Sequence, residues 1–179
     1  PNISLRGVDS ARASKVTVME DGVLMAPAPY SAPSAYYSPT TGRMSGIEVL
    51  KGSSQVKYGP HTTGGALNYL STPIPTTEKA YSKSSFGMFN EVRNHTYFGD
   101  TVNTKDSKFG YLIEYYTRST TGFKTLDTNI AALRTEADTG FAKQEPMIKL
   151  FYEPKTSLYQ RFEAKFGYTN LDANETYLG

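Results

Sequence analysis

Two textures divide the chain. From about residue 78 onward, apolar and polar positions alternate with a period of two, as in strands whose two faces meet different surroundings. In Lys108–Arg118, the residues Phe109, Tyr111, Ile113, Tyr115 and Thr117 fall on one face, and Lys108, Gly110, Glu114, Tyr116 and Arg118 on the other. Leu158–Thr169 repeats the split: Leu158, Phe162, Ala164, Phe166 and Tyr168 oppose Tyr159, Arg161, Glu163, Lys165 and Thr169. Met147–Glu153 sets Ile148, Leu150 and Tyr152 against Lys149, Phe151 and Glu153. The pattern predicts about five strands, near residues 79–90, 93–102, 108–119, 142–153 and 158–170. Asn103–Ser107 and Pro154–Ser157 read as short turns, and Ser119–Gly140 as a long loop. A soluble antiparallel sheet with one wet face would alternate in the same way. Long strands joined alternately by short and long connections favour a transmembrane barrel instead.

Residues 1–77 read differently. They hold most of the chain's 10 prolines and only brief apolar runs such as Val16-Thr17-Val18-Met19, so short strands between loops are expected. Proline spacing across residues 26–45 forbids a helix and predicts an extended, ordered loop. Glycines at 52, 59, 64 and 65 permit positive φ or close backbone approach, so this part turns sharply within a compact body. Thr72-Pro73-Ile74-Pro75 looks like its boundary. The chain is therefore read as mainly β, with one domain over 1–77 and a second over 78–179.

Composition narrows the function classes. With 38% hydrophobic residues and a mean hydropathy of −0.47, no run approaches the roughly 18 apolar residues that a spanning helix needs. Barrel strands escape that test, because only alternate residues face lipid. The absence of cysteine excludes disulfides and thiolate metal sites. A net charge of +2, with 19 scattered basic residues, gives no footprint for nucleic acid. His61 and His95 have no metal-site or triad spacing, and no phosphate loop or nucleophile elbow is present, so neither enzyme nor cofactor chemistry is expected.

Five short motifs follow in order: Arg6-Gly7, Asp21-Gly22, Ile47-Glu48-Val49-Leu50-Lys51-Gly52, Tyr58-Gly59 and Gly64-Gly65-Ala66-Leu67-Asn68. Each alone is an ordinary turn or strand signal. Together they resemble the plug domain of TonB-dependent outer-membrane receptors, with Lys51 where arginine is commoner. The resemblance implies an N-terminally incomplete plug followed by the first strands of an antiparallel transmembrane barrel of about 22 strands with a plugged lumen. Pro1 and Gly179 both fall in mid-pattern, so the chain is read as an internal piece of a longer protein. Asp21-Gly22-Val23, Ala28-Pro29-Tyr30, Tyr58-Gly59-Pro60 and Thr72-Pro73-Ile74-Pro75 are similar to the ferric dicitrate branch of the family. Ala28-Pro29-Tyr30-Ser31-Ala32-Pro33 departs from that branch, whose loop reads Ala-Pro-Tyr-Gly-Gln-Pro.

The resemblance implies a receptor in the outer membrane of a Gram-negative bacterium that imports a ferric chelate, ferric dicitrate or another siderophore. Its energy would come from TonB, with ExbB and ExbD, through a box preceding Pro1. Iron would enter as a chelated substrate, and outer-membrane lipid would surround the strands. Candidate ligand residues are Arg12, Tyr30, Ser31, Tyr36, Tyr37 and Thr40, which offer aromatic walls, neutral hydrogen bonds and positive charge to an anion. Their alternative role is packing, with tyrosine hydroxyls bonded to backbone. Arg6, Arg43, Glu48, Lys51, Gly52, Tyr58, Gly59, Gly64, Gly65 and Asn68 are read as structural or plug–barrel residues, with Arg43 paired to Glu48 or to a barrel carboxylate. Other cargoes (cobalamin, haem, another metal, an oligosaccharide) fit the same fold. A secreted β-rich adhesin or carbohydrate-binding module is the alternative from another class.

Overall fold

The computed structural model describes residues 5, 7, 16–25, 39–52, 58, 64–124 and 139–174. Its two compact units are Pro1–Pro73 and Ile74–Gly179. Among the described residues there is no α-helix; a short 3-10 turn spans Thr41–Arg43.

The first unit holds a small mixed sheet: β1 (Val16–Glu20), β2 (Val23–Leu24), β3 (Met44–Leu50) and β4 (Gly65–Ser71), in the order β2-β1-β4-β3. β1 runs parallel to β4, and the other pairs are antiparallel. Val16, Val18, Leu67 and Tyr69 form the core, with Leu5, Met25 and Met44 packed against it. Every residue of β1 is buried. Between β1 and β2 the chain reverses through Asp21 (φ 51°) and Gly22 (φ 80°), the pair of left-handed residues that the tightest hairpins require. The extended loop expected over residues 26–45 stops earlier than residue 45, because the 3-10 turn begins at Thr41 and β3 at Met44.

The second unit is a single antiparallel sheet. β5 (Lys79–Gly87), β6 (Glu91–Asn103), β7 (Ser107–Thr120) and β8 (Phe141–Pro154) pair in chain order, and β9 (Phe162–Gly167) and β10 (Asn170–Ala173) both lie on the far edge of β8. The segment before β5 is pinned to β6: Thr101 Oγ1 donates to Pro75 O at 2.6 Å. Pro75 also packs where Gly99 has no side chain, since a Cβ there would stand 2.8 Å from the proline ring.

One expected strand differs. Residues 158–161 are not strand, and the remainder is split into β9 and β10. The two pieces keep one register against β8, with Gly167 opposite Met147 and Asn170 opposite Gln144. Between them Tyr168 donates its N–H to Pro146 O at 3.1 Å. Proline has no N–H to return, so the ladder loses its reciprocal bond at that point.

The two faces of this sheet are chemically distinct. Cross-strand pairing assembles Ala80, Phe98, Ile113, Ile148 and Phe166 into one row. Val102, Phe109, Tyr152 and Phe162 form another row nearer the short turns. These rows are exposed despite their chemistry: Ile113 is 54% and Phe166 65% accessible. Toward the long loop the same face becomes polar, in the row Ser84, Asn94, Thr117 and Gln144. The opposite face carries most of the charges, although Asp100 and Asp172 fall by register on the apolar side, and it includes the buried Leu112, Glu114, Tyr116, Glu145, Met147, Lys149 and Phe151.

Candidate functional site

The motif residues of the first unit meet in one polar hub at the ends of β1, β3 and β4. Glu20 shares its face of β1 with Val16 and Val18, which carries a carboxylate into the core. Arg43, at the end of the 3-10 turn, answers it with a two-pronged pair: Nη1 to Oε1 at 2.8 Å and Nη2 to Oε2 at 2.9 Å, both side chains 6% exposed. A planar guanidinium suits this geometry because its donors form a rigid fork. Thr72 Oγ1 donates to Arg43 O at 3.3 Å, tying the end of β4 to the same point.

Asp21 and Asn68 complete the hub. Ser71 N donates to Asp21 Oδ1 at 2.9 Å, and Ser71 Oγ donates to Oδ2. Asn68 Oδ1 accepts from Gly22 N at 2.8 Å, and Asn68 Nδ2 donates to Glu48 Oε2 at 2.8 Å. One amide side chain therefore joins the β1–β2 turn to β3 by using both its acceptor and its donor. The sequence left Arg43 to pair with Glu48 or with a barrel carboxylate, and the structure corrects the first of these. The β3–β4 register sets Glu48 opposite Asn68, and Arg43 closes on Glu20.

Other sequence candidates fall as follows. Thr40 is half-buried at the start of the 3-10 turn, where its carbonyl accepts from Arg43 N at 3.2 Å. Lys51 is exposed, Gly52 has φ 82°, Tyr58 is half-buried, and Gly64 and Gly65 are buried at the start of β4. Arg6, Arg12, Tyr30, Ser31, Tyr36, Tyr37 and Gly59 lie outside the described residues. Sequence reading missed Glu20 and Ser71 as hub members. The signal for Glu20 was its place at the end of the apolar run Val16-Thr17-Val18-Met19, where a buried carboxylate requires a partner.

A family model described as TonB-dependent Receptor Plug Domain matches residues 1–66. The chain carries a TonB-dependent receptor plug domain. Its hub now has a physical reading: the plug motifs Asp21-Gly22, Glu48 and Asn68 are contact partners, not independent turn signals. The structure of the ferric citrate transporter FecA in its unliganded form matches 95% of this chain, with a TM-score of 0.50 at 19% identity. The chain spans 33% of that transporter's length. That likeness concerns the fold, which is mainly β: a plug followed in sequence by antiparallel strands of barrel-wall type.

The wall strands contribute a second polar region. Near the long loop, Glu91 binds two guanidiniums: Arg93 Nε and Nη2 at 2.9 and 2.8 Å, and Arg118 Nε at 2.7 Å. Arg118 also lies 5.2 Å from the Phe141 ring centre. Lys143 Nζ stands 3.2 Å from Glu145, which accepts from Thr169 Oγ1 at 3.1 Å. Midway along the wall, His95 Nε2 meets the buried Glu114 at 2.7 Å, with the rings of Tyr81, Tyr97 and Tyr116 within 5.5–6.1 Å. Toward the short turns, Arg161 stacks 3.9 Å over Phe151. The ring of Phe151 in turn fills the space that a Cβ on Gly110 would occupy.

Proposed function

We propose that this chain belongs to an outer-membrane receptor that binds a ferric chelate, ferric dicitrate or another siderophore, and imports it with energy transmitted by TonB. The observation that carries this reading is the plug-domain match over residues 1–66, together with the hub in which the plug motifs meet. The outward apolar rows of the wall strands fit a lipid environment, and the charged opposite face fits a water-filled lumen closed by a plug. A barrel of about 22 strands has that architecture. The iron cargo is suggested by the ferric citrate transporter that shares the fold.

In this reading, ligand binds from the outer side to plug loops that include Arg12, Tyr30, Ser31, Tyr36, Tyr37 and Thr40. Binding favours a plug state in which the TonB box is offered to the periplasm. TonB, driven by ExbB and ExbD, then pulls the plug to open a path. The process is binding followed by force, and no covalent step is required. Calorimetry on the detergent-purified full-length receptor tests it, with ferric dicitrate, iron-free citrate and an unrelated ferric siderophore as titrants. Selective binding of ferric dicitrate is expected. Binding of the unrelated siderophore alone would keep the receptor and replace the citrate cargo. Absence of binding by a folded barrel would remove the ferric-chelate reading.

A further inference from the structure

Three neighbouring strands of the wall present a cation at the same level of the same face. Arg93 on β6 lies directly opposite Arg118 on β7, and Arg118 lies directly opposite Lys143 on β8. Directly opposed side chains in an antiparallel sheet are about 4.5–5.5 Å apart at Cβ, and like charges at that spacing repel. Lys83, one step lower on β5 opposite His95, adds a fourth positive charge to the same face. Among the described residues, Glu91 serves both arginines and Glu145 stands beside Lys143. Arg93 and Arg118 thus share a single carboxylate, Glu91.

The two arginines of the row are also accessible, while the Lys143 side chain is 16% exposed. The Arg93 and Arg118 side chains are 48% and 38% exposed, although each already lends two nitrogens to Glu91. A guanidinium has five N–H donors in a fixed fork, so each keeps donors beyond those Glu91 takes. The row sits at the end of the strands that leads into the Gly122–Gly140 connection, on the charged face and away from the exposed apolar rows. Repulsion along the row is relieved by any ligand that brings negative oxygens to it.

We propose that Arg93, Arg118 and Lys143 form an anion-binding ledge on the inner wall of the barrel that receives the carboxylates of an anionic ferric chelate, with Glu91 as the built-in competitor that holds the two guanidiniums in place when the ledge is empty. The inference rests on the ferric-chelate reading above and adds wall residues to a site otherwise drawn from plug loops. Glu91 gives the ledge a distinctive signature. Were the arginines only structural partners of Glu91, removing its charge would leave chelate affinity unchanged; as a competitor, its removal tightens the site.

The test is calorimetric titration of the full-length receptor in detergent with ferric dicitrate and, separately, with a charge-neutral ferric trihydroxamate. The R93Q/R118Q variant is expected to bind ferric dicitrate about tenfold or more weakly, the scale of losing charge-assisted hydrogen bonds. Its affinity should also fall less steeply with added salt than that of the unaltered receptor. The Glu91→Gln variant is expected to bind ferric dicitrate more tightly, and Lys108→Gln, at the other end of β7, to bind it unchanged. If R93Q/R118Q fails to assemble, the Glu91→Gln result decides alone, and unchanged or weaker binding there overturns the ledge. Unaltered affinity in R93Q/R118Q overturns the ledge while leaving the receptor reading intact. An unaltered receptor that binds neither chelate, or only the neutral one, overturns the ledge, and in the first case the ferric-chelate reading falls with it.

Discussion

At the scale of single residues, the Arg43–Glu20 pair fixes the plug hub. Both side chains are 6% exposed, so neither charge has water to fall back on. Removing one member of a buried pair typically costs about 3–5 kcal/mol, because the remaining charge stays uncompensated. Arg43→Ala should therefore destabilise the plug by that amount, measured by urea denaturation of the full-length receptor with protease sensitivity of the plug as the readout. The double variant E20L/R43M should recover most of the loss, since apolar residues of similar volume replace such pairs well. Asn68→Ala should cost about 0.5–1.5 kcal/mol in the same assay, the scale of a lost hydrogen bond, because Gly22 and Glu48 are exposed and water can replace the amide there. Glu48 and Asn68 were legible because each belongs to a recognisable motif. The partner of Arg43 was not, since the sequence offered Glu48 or a barrel carboxylate and only the strand order brings Glu20 within reach.

At the scale of elements, turns and ladder breaks carry the information. The β5–β6 turn places Phe89 (φ 58°) and Asn90 (φ 54°) in the left-handed region. Left-handed backbone costs a bulky residue about 1–2 kcal/mol. The turn is held by its neighbour: Phe89 O accepts from Thr121 N at 3.0 Å, Thr121 Oγ1 at 2.8 Å and Thr120 Oγ1 at 3.1 Å. Phe89→Gly keeps those backbone bonds and relieves the strain, so a gain of about 1 kcal/mol is expected in the same denaturation assay. In β8, Pro146→Ala supplies the missing donor opposite Tyr168. Hydrogen exchange should then show a protected amide at residue 146 and β9 continuous with β10; rapid exchange there would show that proline is not what splits the strand. Alternation alone located β5 to β8 within a few residues, because period two is a local property. It could not foresee the split, since the missing bond lies between residues of different strands.

At the scale of the whole molecule, the wall sheet is asymmetric in depth as well as by face. Its apolar rows Val102–Phe109–Tyr152–Phe162 and Ala80–Phe98–Ile113–Ile148–Phe166, with the row Asp100–Tyr111–Leu150–Ala164 between them, give way to Ser84–Asn94–Thr117–Gln144. In lipid, an arginine on the outward face costs about 2–4 kcal/mol at mid-depth and about 0–1 kcal/mol near the interface. Ile113→Arg should therefore impair folding into lipid vesicles by the larger amount and Gln144→Arg by the smaller, read from the folded fraction on unheated gels. Equal penalties would contradict a membrane boundary between those rows.

By itself the sequence determined the β class, the change of texture between the two parts, the two faces of each wall strand and the plug motifs. All of these follow from local periodicity, turn chemistry and residue order. Tertiary structure decided which charges meet: Glu20 with Arg43, Asn68 with Gly22 and Glu48, and the cationic row of Arg93, Arg118 and Lys143. Those meetings depend on strand order and register, set by pairing between segments far apart in the chain, and a shift of one residue would have sent each side chain to the opposite face.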